Sequence, residues 1–316
     1  MQKIVVMGEI LAEIMADTIG AGFTEPVALT GPFPSGAPAI FAAQAARTGQ
    51  PAAIVSAVGD DDFGRVNLDR LRRDGVDCSA VRVDPDRPTG SAFVRYRADG
   101  GRDFVFNIRH SACGTISDTP AVQAVLDAAD HLHVMGSSLS SPDFIARNIA
   151  AAEAVKSRGG TVSFDPNLRK EVLDAPGLKD AMAHVLGLTD LFLPSGAELT
   201  LLTRTDDPAA APDELLDRGI RAIVHKRGAD GARYHDRTST IDVPAFPATE
   251  IDPTGAGDCF GAAFVALWLR GTDTRSALTL AAAAGACAVQ HRGPMEGIKD
   301  LDALRAFATS HGADIR

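Results

Sequence analysis

Aromatic residues are scarce in this chain: one Trp, two Tyr and 14 Phe make up 5% of 316 residues. Surfaces that stack the bases of single-stranded nucleic acids need such rings, so that class is disfavoured and the core must be aliphatic. Positive charge is also short. The 31 Lys and Arg do not match the 41 Asp and Glu, leaving a formal charge of −10. A broad polyanion-binding face requires clustered cations, so no nucleic-acid partner is expected; a small anion in a local pocket is still compatible. Cysteines number four, Cys78, Cys113, Cys259 and Cys287, widely spaced and without a C-x-x-C pair. That argues against a disulfide framework or a zinc site and suits reduced thiols in a cytoplasm. Long hydrophobic runs are missing as well. The opening run Ile4 to Met7 is too short for a signal-peptide core, and Cys259 to Leu269 falls well short of a membrane span. A soluble cytoplasmic protein with no membrane partner is expected. Hydrophobic residues at 45% and charged residues at 23% are ordinary globular values, which excludes a disordered chain.

What is present is a rhythm. Short apolar runs bounded by Gly, Asp or Pro recur at Ile4–Met7, Ala53–Val58, His131–Met135, Thr161–Phe164, Asp190–Leu193 and Ala222–His225, and read as buried strands. Stretches of helical length lie between them: Pro38 to Thr48, Phe63 to Asp74, Asp143 to Arg158 and Lys179 to Leu188. Buried strands alternating with helices predict βαβ units around a parallel sheet, an α/β fold. One region breaks the pattern. Ser91 to Arg97, then Ala98-Asp-Gly-Gly101, then Arg102 to Asn107 predicts a β-hairpin whose strands alternate apolar and polar residues. A hairpin inserted in an α/β chain is a candidate lid, and the Gly- and Pro-rich stretch Ala16 to Gly36 is a candidate for more of it. The C-terminal third reads as helical, over 255–270, 274–291 and 301–310.

The chemistry concentrates in Asp252-Pro-Thr-Gly-Ala-Gly-Asp258, a Gly-rich turn leading into a long apolar helix. The first turn of a helix leaves N–H groups unpaired, the dipole adds partial positive charge, and glycines let a ligand come close. Such a turn cradles an anion such as phosphate. An Asp beside it can take a proton from a hydroxyl attacking that phosphate. A bare G-x-G before a helix is equally a tight turn with Asp258 as its cap; two aspartates bracketing Thr-Gly-Ala-Gly favour the cradle. Competing motifs fail. There is no G-x-x-x-x-G-K-[ST], and Gly255-Ala-Gly257 continues to Gly261 rather than to the dinucleotide spacing, so a nicotinamide oxidoreductase lacks its fingerprint. No H-E-x-x-H or G-x-S-x-G occurs.

The segment Asp252 to Phe260 resembles the C-terminal signature of the ribokinase/PfkB family of carbohydrate kinases. Further landmarks follow in the family's order: Val6-Met-Gly-Glu9, Ser35-Gly-Ala-Pro38, Val58 to Gly64, Asp74 to Asp77, Phe164 to Arg169, Pro194 to Glu198 and Lys226 to Gly231. The resemblance covers nearly the whole chain. It implies a ribokinase-like three-layer sandwich with a central, mostly parallel sheet. One kinase domain would span 1–316, with a small β lid formed by about 14–37 and 88–112. It also implies ATP-dependent phosphorylation of a sugar hydroxymethyl group. Alternating strands on a small lid need cover for an apolar face, so a homodimer through the lid is expected.

By that resemblance Asp258 is the catalytic base, and the backbone of Gly255, Ala256 and Gly257 stabilises phosphoryl charge. Lys226, Gly228, Gly231, Thr254 and Ala282 border the nucleotide. Glu198 organises Mg2+ through water, with Ser195 where the family usually has Asn. Asp252, with Thr254, holds a monovalent cation such as K+. Glu13, Ser35, Gly36, Ala37, Arg109, Asn167 and Arg169 contact the sugar together with Asp258. Glu13 replaces the usual Asp, and Ile40 stands where Asn is common, which tells against ribose or adenosine. The overall pattern is most similar to kinases of ketohexoses such as tagatose or fructose. The alternative is 2-keto-3-deoxygluconate, whose carboxylate Arg109 and Arg169 would hold. A reading of another class, a non-catalytic sugar or nucleotide sensor, conflicts with an intact Asp258 and glycine cradle.

Overall fold

The computed structural model describes residues 1–20, 22–99, 101–168 and 177–315. In chain order the elements are β1 (Ile4–Met7), β2 (Leu11–Ala16), β3 (Leu29–Ser35), α1 (Ala37–Arg47), β4 (Ala52–Gly59), α2 (Asp62–Arg73), β5 (Val81–Asp84), β6 (Gly90–Tyr96) and β7 (Arg102–Asn107). There follow α3 (Pro120–Asp127), β8 (His131–Met135), α4 (Pro142–Ser157), β9 (Thr161–Asp165), α5 (Leu178–Leu188), β10 (Leu191–Phe192), α6 (Ala211–Asp217) and β11 (Ala222–Lys226). The chain ends with β12 (Ala232–His235), β13 (Thr240–Val243), α7 (Ala256–Leu269), α8 (Thr274–Val289) and α9 (Leu301–Ser310).

The large sheet has the order β13-β12-β11-β10-β9-β8-β1-β4-β5. Strands β11 to β5 pair parallel, while β12 and β13 add an antiparallel edge. Both faces are buried, and successive side chains point to opposite layers. Ile4 and Val6 join a core with Phe41 of α1 and Phe264 of α7; Val5 and Met7 join another with Phe144 of α4 and Met182 of α5. This is a three-layer α/β sandwich, with one core on each face of the large sheet. The edge hairpin at 232–243 escaped the sequence reading because its residues alternate between buried and exposed, and no continuous apolar run marks it.

A second sheet has the order β3-β2-β6-β7. The expected hairpin is there, with Ser91 opposite Asn107 and Tyr96 opposite Arg102. This sheet begins at Leu11, earlier than the expected bound at 14, because β2 follows almost directly on β1 and stays buried along its length. Its inner face carries a small cluster of Leu11, Ala92 and Cys113 with Phe104, Phe106 and Ile108 packed on it. Among the described residues no helix is long and apolar enough to cross a membrane.

Candidate active site

The parallel strands of the large sheet end along one edge, where open α/β sheets collect ligands. β9 ends on Asp165 and β11 on Lys226, and these two side chains form a buried ion pair. After Asp165 comes Pro166, which cannot continue the ladder, and then Asn167 with φ 39°. Asn tolerates that left-handed conformation better than most residues. The turn aims its side chain at α7, where Nδ2 donates to Oδ1 of Asp258 across 2.8 Å.

α7 starts at Gly255, whose φ of 82° favours glycine; a Cβ there would meet the Pro294 carbonyl at 2.5 Å. Among the described residues no side chain caps this helix, as none caps α1, α5 or α6, whereas α2, α4 and α8 are capped by Asp61, Ser141 and Asp273. The donors of its first turn are therefore offered to a ligand. Gly257 is a different case. A Cβ there would meet only Lys226 Nζ, at 3.7 Å, so packing within the fold does not require glycine. Asp252 lies wholly buried behind the turn, its two oxygens accepting N–H bonds from Thr254 at 3.0 Å and Gly293 at 3.1 Å.

Glu198 sits beside this turn. Its oxygens accept from the backbone N–H of Leu168 at 2.8 Å and Ser195 at 2.7 Å, closing a capping box on a short 3₁₀ turn. Burial, and secondly the charge of Asp165, hold its carboxyl above the ordinary value despite those donors and Lys226. Among the described residues no group of three or more His, Cys, Asp or Glu gathers as a metal cage.

Three clefts share walls here. A central one of about 210 Å³ is lined by Asp258, Asn167, Glu198, Gly257 and Arg102. On one side, across Lys226 and Pro253, opens an apolar cleft of about 310 Å³ lined by Gly228, Gly231 and Ala282. On the other, across Thr254, lies a cleft of about 530 Å³ under the small sheet, lined by Glu13, Ser35, Gly36 and Ala37. Ser35 donates to Glu13 Oε2 at 2.7 Å. Arg109 is exposed at the rim of this third cleft. The structure thus brings together the expected site residues; Arg169 lies outside the described residues.

Several residues at the site escaped the sequence reading of roles. Glu9 lines the third cleft, its oxygens accepting from Ser137 at 3.0 Å and Ser138 at 2.9 Å. Its position just past β1 was the available signal. Asp165, at the end of β9, carries the same signal. Phe104 and Phe106 line the cleft from the hairpin. Arg102 reaches the central cleft, with Nη1 donating to Thr254 Oγ1 at 2.6 Å.

The family profile of the pfkB family carbohydrate kinases matches residues 1–301. A crystal structure of an E. coli protein provisionally described as ribokinase II, in complex with ATP and Mg2+, is 44% identical; the match has a TM-score of 0.91 and covers 98% of this chain and 100% of that one. A fructokinase from Klebsiella pneumoniae is 32% identical over 96% of this chain and 98% of its own length. A 2-dehydro-3-deoxygluconokinase from Thermoproteus tenax is 32% identical over 94% of this chain and 91% of its own. With its α/β sandwich, its uncapped glycine turn and a profile match along nearly its whole length, the chain belongs to the pfkB family of carbohydrate kinases.

Proposed function

We propose that the chain transfers the γ-phosphoryl group of ATP to a hydroxymethyl oxygen of a neutral ketohexose such as tagatose or fructose. The observation that carries the substrate class is the charge of the third cleft. Glu9 and Glu13 both line it, with serine hydroxyls, and Arg109 is the one basic residue among its described lining. Carboxylates and hydroxyls accept hydrogen bonds from sugar hydroxyls, which a neutral ketohexose offers along its length.

The adenine end of ATP then occupies the apolar cleft beside Ala282, with Gly228 and Gly231 at its mouth. The phosphates run along Lys226 to the turn at Gly255, Ala256 and Gly257. Asp258 accepts the hydroxymethyl proton as the new O–P bond forms and the bond to the ADP oxygen breaks. Asn167 fixes the rotamer of that carboxylate. Mg2+ bound with the nucleotide would supply charge neutralisation for the phosphates, and Glu198 would hold its water. Asp252, fully buried and without an ion-pair partner among the described residues, suits a monovalent cation such as K+ behind the turn. The small sheet covers the sugar as a lid, and its exposed Leu29 and Val105 offer a surface for a second copy.

An ADP-release assay with tagatose, fructose and 2-keto-3-deoxygluconate tests the reading. A ketohexose should give the highest kcat/KM. An acid far above both ketoses would establish the acid-sugar alternative, and no turnover of any sugar would favour a sensor.

A further inference from the structure

We propose that Arg102 is a catalytic residue carried by the lid: its guanidinium enters the phosphoryl-transfer cleft and neutralises charge on the group in transit. This inference rests on the kinase chemistry proposed above.

Arg102 opens β7, opposite Tyr96 at the end of the hairpin. The hairpin's other arginines are committed elsewhere. Arg95 pairs with Asp103 at 3.1 Å, and Arg97 pairs with Asp99 and Asp103, each at 3.1 Å. Arg102 forms no ion pair among the described residues. It extends instead to Thr254, the residue before Gly255, with its guanidinium carbon 5.8 Å from the Phe104 ring centroid. The bond to a neutral hydroxyl positions the guanidinium without cancelling its charge.

The charge balance of the central cleft explains the need. Among its described lining residues are three carboxyl groups, Asp165, Glu198 and Asp258, and two cations, Lys226 and Arg102. Lys226 is already in contact with Asp165. Among the described lining residues, Arg102 is therefore the cation whose charge is left for a phosphoryl group. Negative charge spread over the transferring oxygens is stabilised most by a fixed donor in a site closed to water. Because the donor sits on the small sheet, the element that covers the third cleft also carries a cation into the central one.

The test uses the full-length enzyme with ATP·Mg2+ and the best sugar of the panel. Arg102→Gln keeps a donor for Thr254 and removes the charge. Its kcat should fall about 10²–10³-fold, with sugar KM within about threefold of wild type. Arg102→Lys should recover part of the loss, and guanidinium ions should partly restore Arg102→Ala. A kcat within about threefold of wild type, or a raised sugar KM at unchanged kcat, would overturn the proposal and leave Arg102 as a lid contact. If Arg102→Gln fails to fold by circular dichroism, the Lys variant and the guanidinium rescue decide. If the wild type turns over no sugar, the kinase reading itself fails, and calorimetry with ATP·Mg2+ decides for Arg102. A Kd raised at least about fivefold in Arg102→Gln keeps it as a phosphate ligand; an equal Kd removes it.

Discussion

Asn167 Nδ2 and Asp258 Oδ1 stand 2.8 Å apart, tying the turn after β9 to the first turn of α7. The bond joins residues 91 positions apart and fixes which way the buried carboxylate faces. A base must be aimed before its basicity matters, so the two residues form one device.

Asp258→Asn keeps the size of the side chain and removes its capacity to take a proton. The fold and both ligand affinities should persist while kcat falls about 10²–10⁴-fold. Wild-type turnover in this variant would remove Asp258 from the mechanism.

Asn167→Ala deletes the positioning hydrogen bond and places Ala at φ 39°. Loss of one such bond, about 1 kcal/mol, corresponds to roughly a fivefold fall in kcat with little change in KM. An unchanged kcat in steady-state kinetics would show that Asp258 is held by other groups.

Gly255→Ala and Gly257→Ala should fail differently. At Gly255 the new methyl meets a backbone carbonyl and adopts an unfavourable φ, so urea unfolding should show a loss of about 1–3 kcal/mol. At Gly257 the fold should be nearly unaffected, because only the end of Lys226 is near, while KM for ATP rises or kcat falls. Equal stability losses at both positions would contradict the assignment of Gly257 to ligand approach.

Acid should destabilise the protein through buried histidine. Burial pushes His131 from 6.5 down to about 3, and His133 is lowered as well, by burial first and then by His131 and Lys226. Between those values the unfolded chain binds the proton and the folded chain does not. Stability is therefore complete above about pH 6.5 and falls as pH drops toward 3, by up to about 1.4 kcal/mol per pH unit for each such group. Urea midpoints at pH 7.5 and 5 should differ, and less so in His131→Asn. An identical pH dependence in that variant would assign the acid sensitivity elsewhere.

Glu198→Gln removes the charge and keeps one of the two oxygens that accept from the Leu168 and Ser195 N–H groups. Half-saturation by Mg2+ should rise at fixed ATP while sugar KM stays the same. An unchanged Mg2+ titration would restrict Glu198 to its role in the 3₁₀ turn.

The layers and the cradle are legible in the order of the residues, because both follow from local rules. Ile4 and Val6 against Val5 and Met7 already encode a strand buried on two faces. Gly255, Gly257 and Asp258 sit within one turn, so their spacing alone puts donors and a carboxylate together. The hairpin at 91–107 was equally local, since a short turn joins its strands. What only the tertiary structure decided is every partnership across the chain. Asp165 meets Lys226, Asn167 meets Asp258, Glu9 joins Glu13 over one cleft, and Arg102 crosses from the small sheet to Thr254. No periodicity records these pairings. They arise because the parallel strands all end at one edge, and because the hairpin folds over that edge, bringing residues of remote sequence into a single electrostatic environment.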